Sequence, residues 1–420
     1  MATKTIADIN VAGKKVLMRV DFNVPLKDVA GQKEVSDDNR IVQALPSIKQ
    51  VIAQGGKLIL MSHLGRPDGK YEAEGSLKPA ADRLAKLLGR PVALGPKEVV
   101  GPEAEKIVAA MKAGDVLLLE NVRFDAGETM PDKAKKNPDG KLTAEQDAKN
   151  KTFVAALARL GEVYVNDAFG TCHRKHASMY GVAKAIQAAG GPAVAGFLVE
   201  KEIKYLHEAV ANPARPFVAI LGGAKVSDKI KLISTLLGKV DRILIGGAMA
   251  YTLLKAKGIC VGRSRVEEDQ VEEMKSLLAK AGDKIMLPCD HVGAEAFESD
   301  AAQAVADVNI PDNLMGLDIG PKTVKAFSEV VAKAKTIVWN GPMGVFERPA
   351  YAAGTKAVAE AVAKATDGGA VSVIGGGDSA AAVEDMGLGE RMTHVSTGGG
   401  ASLTYLEGKA MPPLEVLDSK

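Results

Sequence analysis

Four times in the second half of this chain a short apolar run stops at a cluster of glycines and reopens as a helix-like segment. The clusters are Gly222-Gly223-Ala224-Lys225, Gly246-Gly247-Ala248, Gly375-Gly376-Gly377-Asp378 and Gly398-Gly399-Gly400. A strand that ends in glycine and turns into a helix leaves backbone N–H groups uncovered at the positive end of the helix dipole, where phosphate is favoured. The runs at 217–221, 242–245, 337–339, 371–374 and 394–395 do not alternate in polarity, as expected of strands covered on both faces. Strand and helix in turn predict an α/β protein with parallel sheets.

The first half ends its apolar runs in charge instead. Val16-Leu17-Met18-Arg19-Val20 leads into Asp21-Phe22-Asn23-Val24-Pro25, and the run 58–61 into Ser62-His63-Leu64-Gly65-Arg66-Pro67. The run 116–119 leads into Glu120-Asn121-Val122-Arg123-Phe124, and 163–165 into Asn166-Asp167-Ala168-Phe169-Gly170-Thr171-Cys172-His173-Arg174. In open parallel sheets the carboxyl ends of the strands line the ligand crevice, so these clusters are expected to converge. Arg40, Arg66, Arg123 and Arg174 would then share one rim. Four guanidiniums repel one another unless an anion neutralises them, and their forks suit a phosphomonoester or a carboxylate. His63 and His173 lie in the same loops and read either as structural histidines or as further donors to that anion. His176, His207, His291 and His394 are expected to be structural.

A length of 420 residues and 46% hydrophobic content suit two cored domains. Lys and Arg total 54 against 52 Asp and Glu, so any basic pocket is local, and non-specific nucleic-acid binding is disfavoured. Three unpatterned cysteines exclude a disulfide framework or a Cys-rich zinc site and suit a reducing, cytoplasmic setting. Residues 1–10 lack the pattern of a signal or transit peptide, and no apolar stretch is long enough for a membrane span. Helices are expected over 40–54, with Pro46 inside, and over 77–88 and 151–160. Val199, Ile203, Leu206 and Val210 mark an amphipathic helix over 197–211, read as the connector between domains. The polar, lysine-rich stretch 126–148 reads as a solvated surface excursion.

Gly375-Gly376-Gly377-Asp378-Ser379-Ala380 fits G-x-G-x-x-A, but the acidic residue that ends the next strand in dinucleotide-binding proteins is missing. An NAD-dependent dehydrogenase is thus a rival reading, as is a non-catalytic phosphate-metabolite binding protein. No P-loop and no protein-kinase signature occurs. Asp378 reads as a helix N-cap, as a carboxylate for Mg²⁺ on nucleotide phosphates, or as both. Lys225 and Lys229, expected on the first turn of a helix starting near Ser227, could reach the same phosphates. The loop Asn340-Gly341-Pro342-Met343-Gly344-Val345-Phe346-Glu347 follows the core residue Trp339 and mixes apolar, small and acidic members as a nucleoside pocket does, with Glu347 facing ribose hydroxyls or solvent.

Together these motifs, which run the length of the chain, resemble the phosphoglycerate kinase family. The resemblance implies two Rossmann-like three-layer α/β/α domains with parallel sheets joined by an inter-domain helix and hinge. Residues 1–196 would bind 3-phosphoglycerate, 197–211 would connect, 212–405 would bind nucleotide, and 406–420 would return to the first domain. Asp21, Asn23, Arg40, His63, Leu64, Gly65, Arg66, Arg123 and Arg174, with His173 nearby, would hold the phosphoglycerate. Lys225, Lys229, Gly246, Gly247, Gly316, Asn340, Glu347, Gly376, Gly377, Asp378 and Ser379 would hold ATP or ADP, with Asp378 toward Mg²⁺. Arg40, Lys225 and the amides of Gly399 and Gly400 would surround the phosphoryl group in transfer from 1,3-bisphosphoglycerate to ADP, or in reverse. Family chains are usually monomeric. This sequence departs from the family text at Cys172, Lys175 and Ser379 and over 126–148, none of which removes a charged ligand.

Overall fold

The computed structural model describes residues 3–420; Met1, Ala2 and the side chain of Val210 lie outside the described residues. The chain forms two compact units, Met1–Ile203 with Ala410–Lys420, and Lys204–Lys409.

Among the described residues the first unit is built on one six-stranded sheet, in the spatial order Ala93–Leu94, Val116–Leu118, Lys57–Met61, Lys15–Val20, Val163–Asp167, Ala193–Ala195. Every pairing in it is parallel. Its two central strands, Lys57–Met61 and Lys15–Val20, are buried almost throughout, which explains the apolar runs 58–61 and 16–18 within them. The helix Asn39–Ala53 covers one face with Ile41, Ala44, Ile48 and Val51, a three-four-three spacing that makes a single apolar stripe. Chain order along the sheet reverses between Lys15–Val20 and Val163–Asp167, so the crevice of a doubly wound sheet falls at the carboxyl ends of these two strands. The last residues belong to this unit: Lys4 donates to the Asp418 carbonyl, and Gln187 Nε2 donates to the Val416 carbonyl and to Asp418 Oδ1.

The second unit repeats the plan. Its parallel sheet runs Ile285–Met286, Arg242–Ile245, Phe217–Leu221, Thr336–Asn340, Val371–Gly375, His394–Val395. In chain order this is three-two-one-four-five-six, the order of nucleotide-binding doubly wound sheets, with the switch point between Phe217–Leu221 and Thr336–Asn340. Trp339, Ile220, Ile337 and Ile374 pack on Val358, Ala359, Val362 and Ala363 of the helix Ala353–Asp367. A three-stranded antiparallel sheet, Gln303–Val305, His291–Ala294 and Met315–Ile319, is an addition that the sequence reading lacks.

Two sequence expectations are corrected. The helix expected at 151–160 spans Ala144–Ala158. It starts early because Thr143 and Gln146 form a capping box: Thr143 Oγ1 accepts from the Gln146 N–H, and Gln146 Oε1 accepts from the Thr143 N–H. The stretch 126–148 is a solvated excursion only in part, since none of residues 131–148 is buried. It holds the short helix Met130–Lys133, and its Glu128 and Met130 are buried. The connector helix spans Phe197–Ala211. Asp167 Oδ1 caps it by accepting from the N–H groups of Leu198 and Val199.

Candidate active site

In the first unit the loops that follow the strands form one charged rim, and at its base lies a residue not singled out from the sequence. Arg19, inside the strand Lys15–Val20, is fully buried. A charge in an unbroken apolar run was the signal that could have found it, since a buried guanidinium requires partners. Its Nε donates to Ser178 Oγ (2.8 Å), its Nη1 to the Val20 carbonyl, and its Nη2 lies 3.1 Å from His63 Nδ1. An arginine N–H can only donate, so His63 accepts through Nδ1 and carries its proton on Nε2. Burial, only partly offset by Asp21, drives His63 well below the ordinary histidine range, in keeping with that neutral tautomer.

Two arms leave Arg19. One passes through His63 to Asp21, 4.0 Å away, and from Asp21 to Arg40 at 3.2 Å. Burial raises the Asp21 carboxyl, but the positive charges of His63, Arg40 and Arg19 outweigh it and hold Asp21 below the usual range. With His63 neutral, the two arginines are the charges that count at neutral pH. The other arm runs from Ser178, whose Oγ and N–H both donate to the fully buried Glu128 carboxylate (2.7 and 2.8 Å), to His176 and Asp132. Asp132 Oδ2 accepts from Arg174 Nη1 at 2.7 Å and faces His176 Nε2 at 2.9 Å.

Arg123 joins the rim from the next loop, its Nη1 donating to the Gly65 carbonyl (2.6 Å), while Asn23 Oδ1 accepts from the Gly65 N–H (2.8 Å). Burial and the nearby Arg19 bring Arg123 down to about 10, a sign of crowded like charge. Arg66 is exposed beside Gly65, and Leu64 is buried with its carbonyl held by Asn121 Nδ2. Arg123 Nε and His173 Nδ1 are buried without a hydrogen-bond partner. Burial and the neighbouring Arg174 push His173 down to about 4. An unpartnered guanidinium nitrogen among crowded cations suits an anionic ligand.

The second unit answers with backbone. Its cavity, about 480 Å³, is lined by Gly223, Gly247, Gly316, Glu347 and Asp378 with apolar walls from Phe297 and Leu317. The glycines are required by close approach: a Cβ on Gly222 would stand 1.9 Å from the Pro342 carbonyl, and one on Gly247 2.4 Å from the Gly223 nitrogen. On Gly246 it would meet Met343, and on Gly316 the Tyr251 hydroxyl. The helices Gly377–Asp385 and Gly399–Leu406 begin against each other, a Cβ on Gly399 lying 2.7 Å from the Gly377 nitrogen. Gly377 and Gly400 are exposed there, so two helix N-termini present their amides together.

Two expectations here are corrected, the start of one helix and the N-cap of another. The helix after the first glycine cluster begins at Ile230, not near Ser227, so Lys225 and Lys229 lie on the preceding loop. Lys225 is exposed. Lys229 turns inward, its Nζ donating to the Gly222 carbonyl, the Asn340 carbonyl and Asn340 Oδ1 at 2.6–2.8 Å. Three acceptors call for three donors, so this nitrogen is an ammonium here, although burial lowers it to about 8. Lys229 and Asn340 therefore brace the glycine loops. Ser379 does likewise: it is buried, and its Oγ accepts from the Gly341 N–H at 2.5 Å. Asp378 is exposed in the first turn of its helix and is not the N-cap, which is Gly376. Sequence reasoning missed the walls from the antiparallel sheet and its loop. Arg348 holds that loop by donating to the carbonyls of Phe297 and Glu298.

A sheet in nucleotide-binding order with a glycine-lined cavity in one unit, and a cationic rim in the other, are features of a phosphoryl-transfer enzyme. Comparison with known proteins makes this particular. Residues 6–409 match the family model described as Phosphoglycerate kinase. The chain is 55% identical to the phosphoglycerate kinase of Chloroherpeton thalassium over 423 residues and 53% identical to that of Lactobacillus delbrueckii subsp. lactis over 421, each covering 100% of both sequences. It resembles the solved phosphoglycerate kinases of Coxiella burnetii (TM-score 0.83, 38% identity) and Pyrococcus horikoshii (0.82, 32%), covering 99% of this chain and 98% of each of those. The chain belongs to the phosphoglycerate kinase family. It is a phosphotransferase that acts on a carboxyl group, a kinase of glycolysis.

Proposed function

We propose that the first unit holds 3-phosphoglycerate or 1,3-bisphosphoglycerate on its arginine rim, and that the second holds ATP or ADP in its glycine-lined cavity. The observation that carries this assignment is the contrast in donors: guanidiniums gathered around Arg19 in one unit, bare amides and a carboxylate in the other. Asp21, Asn23, His63, Arg66, Arg123 and Arg174 would orient the phosphoglycerate, and Arg40 would face the transferred group. Gly316, Glu347 and the apolar walls would take the nucleoside. Lys225, the amides of Gly399 and Gly400, and Gly376 and Gly377 would take the phosphates.

In the direction of ATP consumption a carboxylate oxygen of 3-phosphoglycerate bonds to the γ-phosphorus as the bond to the departing ADP oxygen breaks. The acceptor is an acid with a pKa near ~3.5 and is already ionised, so no general base is needed. A neutral, buried His63 fits that scheme as an orienting group. What the residues supply is in-line positioning and compensation of charge on the equatorial oxygens, through Arg40, Lys225 and the helix-end amides. Asp378 is exposed in the cavity, near enough to Lys229 for their charges to interact, and a single carboxylate suits Mg²⁺ that takes its other ligands from phosphates and water. Mg²⁺ bound there would neutralise phosphate charge. Substrates held on separate units react only when brought together, and the connector Phe197–Ala211 and its flanks are the proposed hinge.

No helix among the described residues is long and apolar enough to cross a membrane. A cytoplasmic monomer is the setting we infer. A coupled assay with ATP, Mg²⁺ and 3-phosphoglycerate tests the function: turnover that requires all three is expected, and turnover without 3-phosphoglycerate would contradict it.

A further inference from the structure

The segment 126–148 reads from sequence as bland surface, yet it delivers two carboxylates to the arginine rim. Glu128 is sealed inside and neutralises Arg19 through Ser178. Asp132 reaches the rim itself. We propose that Asp132 is a positioning residue for Arg174, fixing one edge of its guanidinium so that the other edge meets the anionic group of the phosphoglycerate. The inference rests on the reading of this rim as the phosphoglycerate site.

Three observations favour positioning over a carboxylate that merely blocks the rim. Asp132 engages a single terminal nitrogen, Nη1, while the Arg174 side chain stays 39% exposed. A planar fork with one corner tied down keeps a second edge for a bidentate partner. Asp132 is also anchored from below: the same Oδ2 faces Nε2 of His176, whose side chain is 1% exposed, and the Asp132 N–H donates to the Thr129 carbonyl. Together the His176 bond and the Arg174 charge hold the carboxyl well below the usual carboxylate range, so it stays ionised wherever the enzyme works. Finally, His176 is itself set by its chain neighbour, since the Ala177 N–H donates to the Glu128 carbonyl, which locks the segment 126–148 to the loop that carries His173 and Arg174. An anchored carboxylate of this kind cannot swing aside for substrate. It trades some attraction for a defined geometry.

The test compares the wild-type enzyme with Asp132→Ala, Asp132→Asn, Arg174→Ala and the Asp132→Ala/Arg174→Ala double variant, reading KM and kcat for each substrate. Asp132→Ala should raise KM for 3-phosphoglycerate roughly five- to tenfold, with KM for ATP unchanged and kcat within about twofold. Asp132→Asn should fall between, because its amide oxygen still accepts from Arg174. The double variant should be no worse than Arg174→Ala, the non-additivity expected of a residue that acts through another. A lower KM in Asp132→Ala would make the carboxylate a competitor of the substrate and overturn the inference. An unchanged KM, or additive losses in the double variant, would overturn it too. Should Asp132→Ala fail to fold, Asp132→Asn decides by the same KM. A wild-type enzyme that turns over while the variants match it rejects this inference alone; a silent wild-type enzyme rejects the phosphoglycerate reading beneath it.

Discussion

The two units share a plan and differ in how they present positive charge. In the first unit stand side chains: Arg40 paired with Asp21, Arg174 with Asp132, Arg19 linked to Glu128 through Ser178, and Arg123 held by the Gly65 carbonyl. At the switch point of the second stand glycines, packed so closely that no Cβ fits at Gly222, Gly247 or Gly399. A cationic side chain can be displaced, tuned and neutralised by neighbours. A backbone amide survives every substitution but proline, and is otherwise lost only when something is added over it. The first cradle is therefore broken by subtraction and the second by addition.

The largest expected effect follows from subtraction. Arg40→Ala should lower kcat by at least ~10²-fold if its guanidinium compensates charge developed in transfer, as removal of such groups does elsewhere. A rise in KM for 3-phosphoglycerate with kcat intact would assign Arg40 to ground-state binding instead. Addition comes next. Gly399→Ala places a methyl 2.7 Å from the Gly377 nitrogen, and the loss in kcat should be about tenfold or more, with 3-phosphoglycerate affinity preserved. Unchanged kinetics would remove the amides of Gly399 and Gly400 from the site. Asp378→Asn should raise KM for MgATP by roughly tenfold and leave calorimetric binding of 3-phosphoglycerate nearly intact. Equal weakening of both ligands would erase the distinction between the cradles.

The smallest effect concerns the connector rather than either cradle. Asp167 caps Phe197–Ala211 through Oδ1, while its Oδ2 is buried without a partner, and burial raises its pKa to about 7. A carboxyl raised in the folded state binds more protons there than when unfolded. Its ionisation therefore costs stability progressively as pH rises from about 4 to about 7, and no further above that. Between pH 5 and pH 8 the wild-type protein should lose on the order of 2 kcal/mol through this group, a loss that Asp167→Asn lacks. Thermal melts at the two pH values read the difference, and parallel slopes would contradict it.

The sequence carried most of the architecture because buried parallel strands leave unbroken apolar runs and their carboxyl ends leave abrupt changes of chemistry. The strands Phe217–Leu221, Arg242–Ile245 and His394–Val395 and the connector Phe197–Ala211 fall where their patterns put them. The misses have physical reasons. Within 126–148 Glu128 looks solvated because it is polar, and polarity does not tell a sealed carboxylate from an exposed one. The Thr143-Ala144-Glu145-Gln146 capping box was readable and would have placed the start of Ala144–Ala158. The antiparallel sheet Gln303–Val305, His291–Ala294 and Met315–Ile319 has short strands of mixed polarity and little periodicity. Lys229, Asn340 and Ser379 also tie the glycine loops to one another, a bracing role that spacing alone cannot reveal.

Amide hydrogen exchange with one substrate at a time tests the separation of the cradles most directly. With 3-phosphoglycerate alone, protection should rise in the segments around residues 21–23, 63–66, 121–124 and 173–176. With MgADP alone it should rise around 222–225, 246–248, 376–379 and 398–400. Protection by 3-phosphoglycerate at the glycine clusters, or by nucleotide at the arginine loops, would contradict the assignment of one anion cradle to each unit.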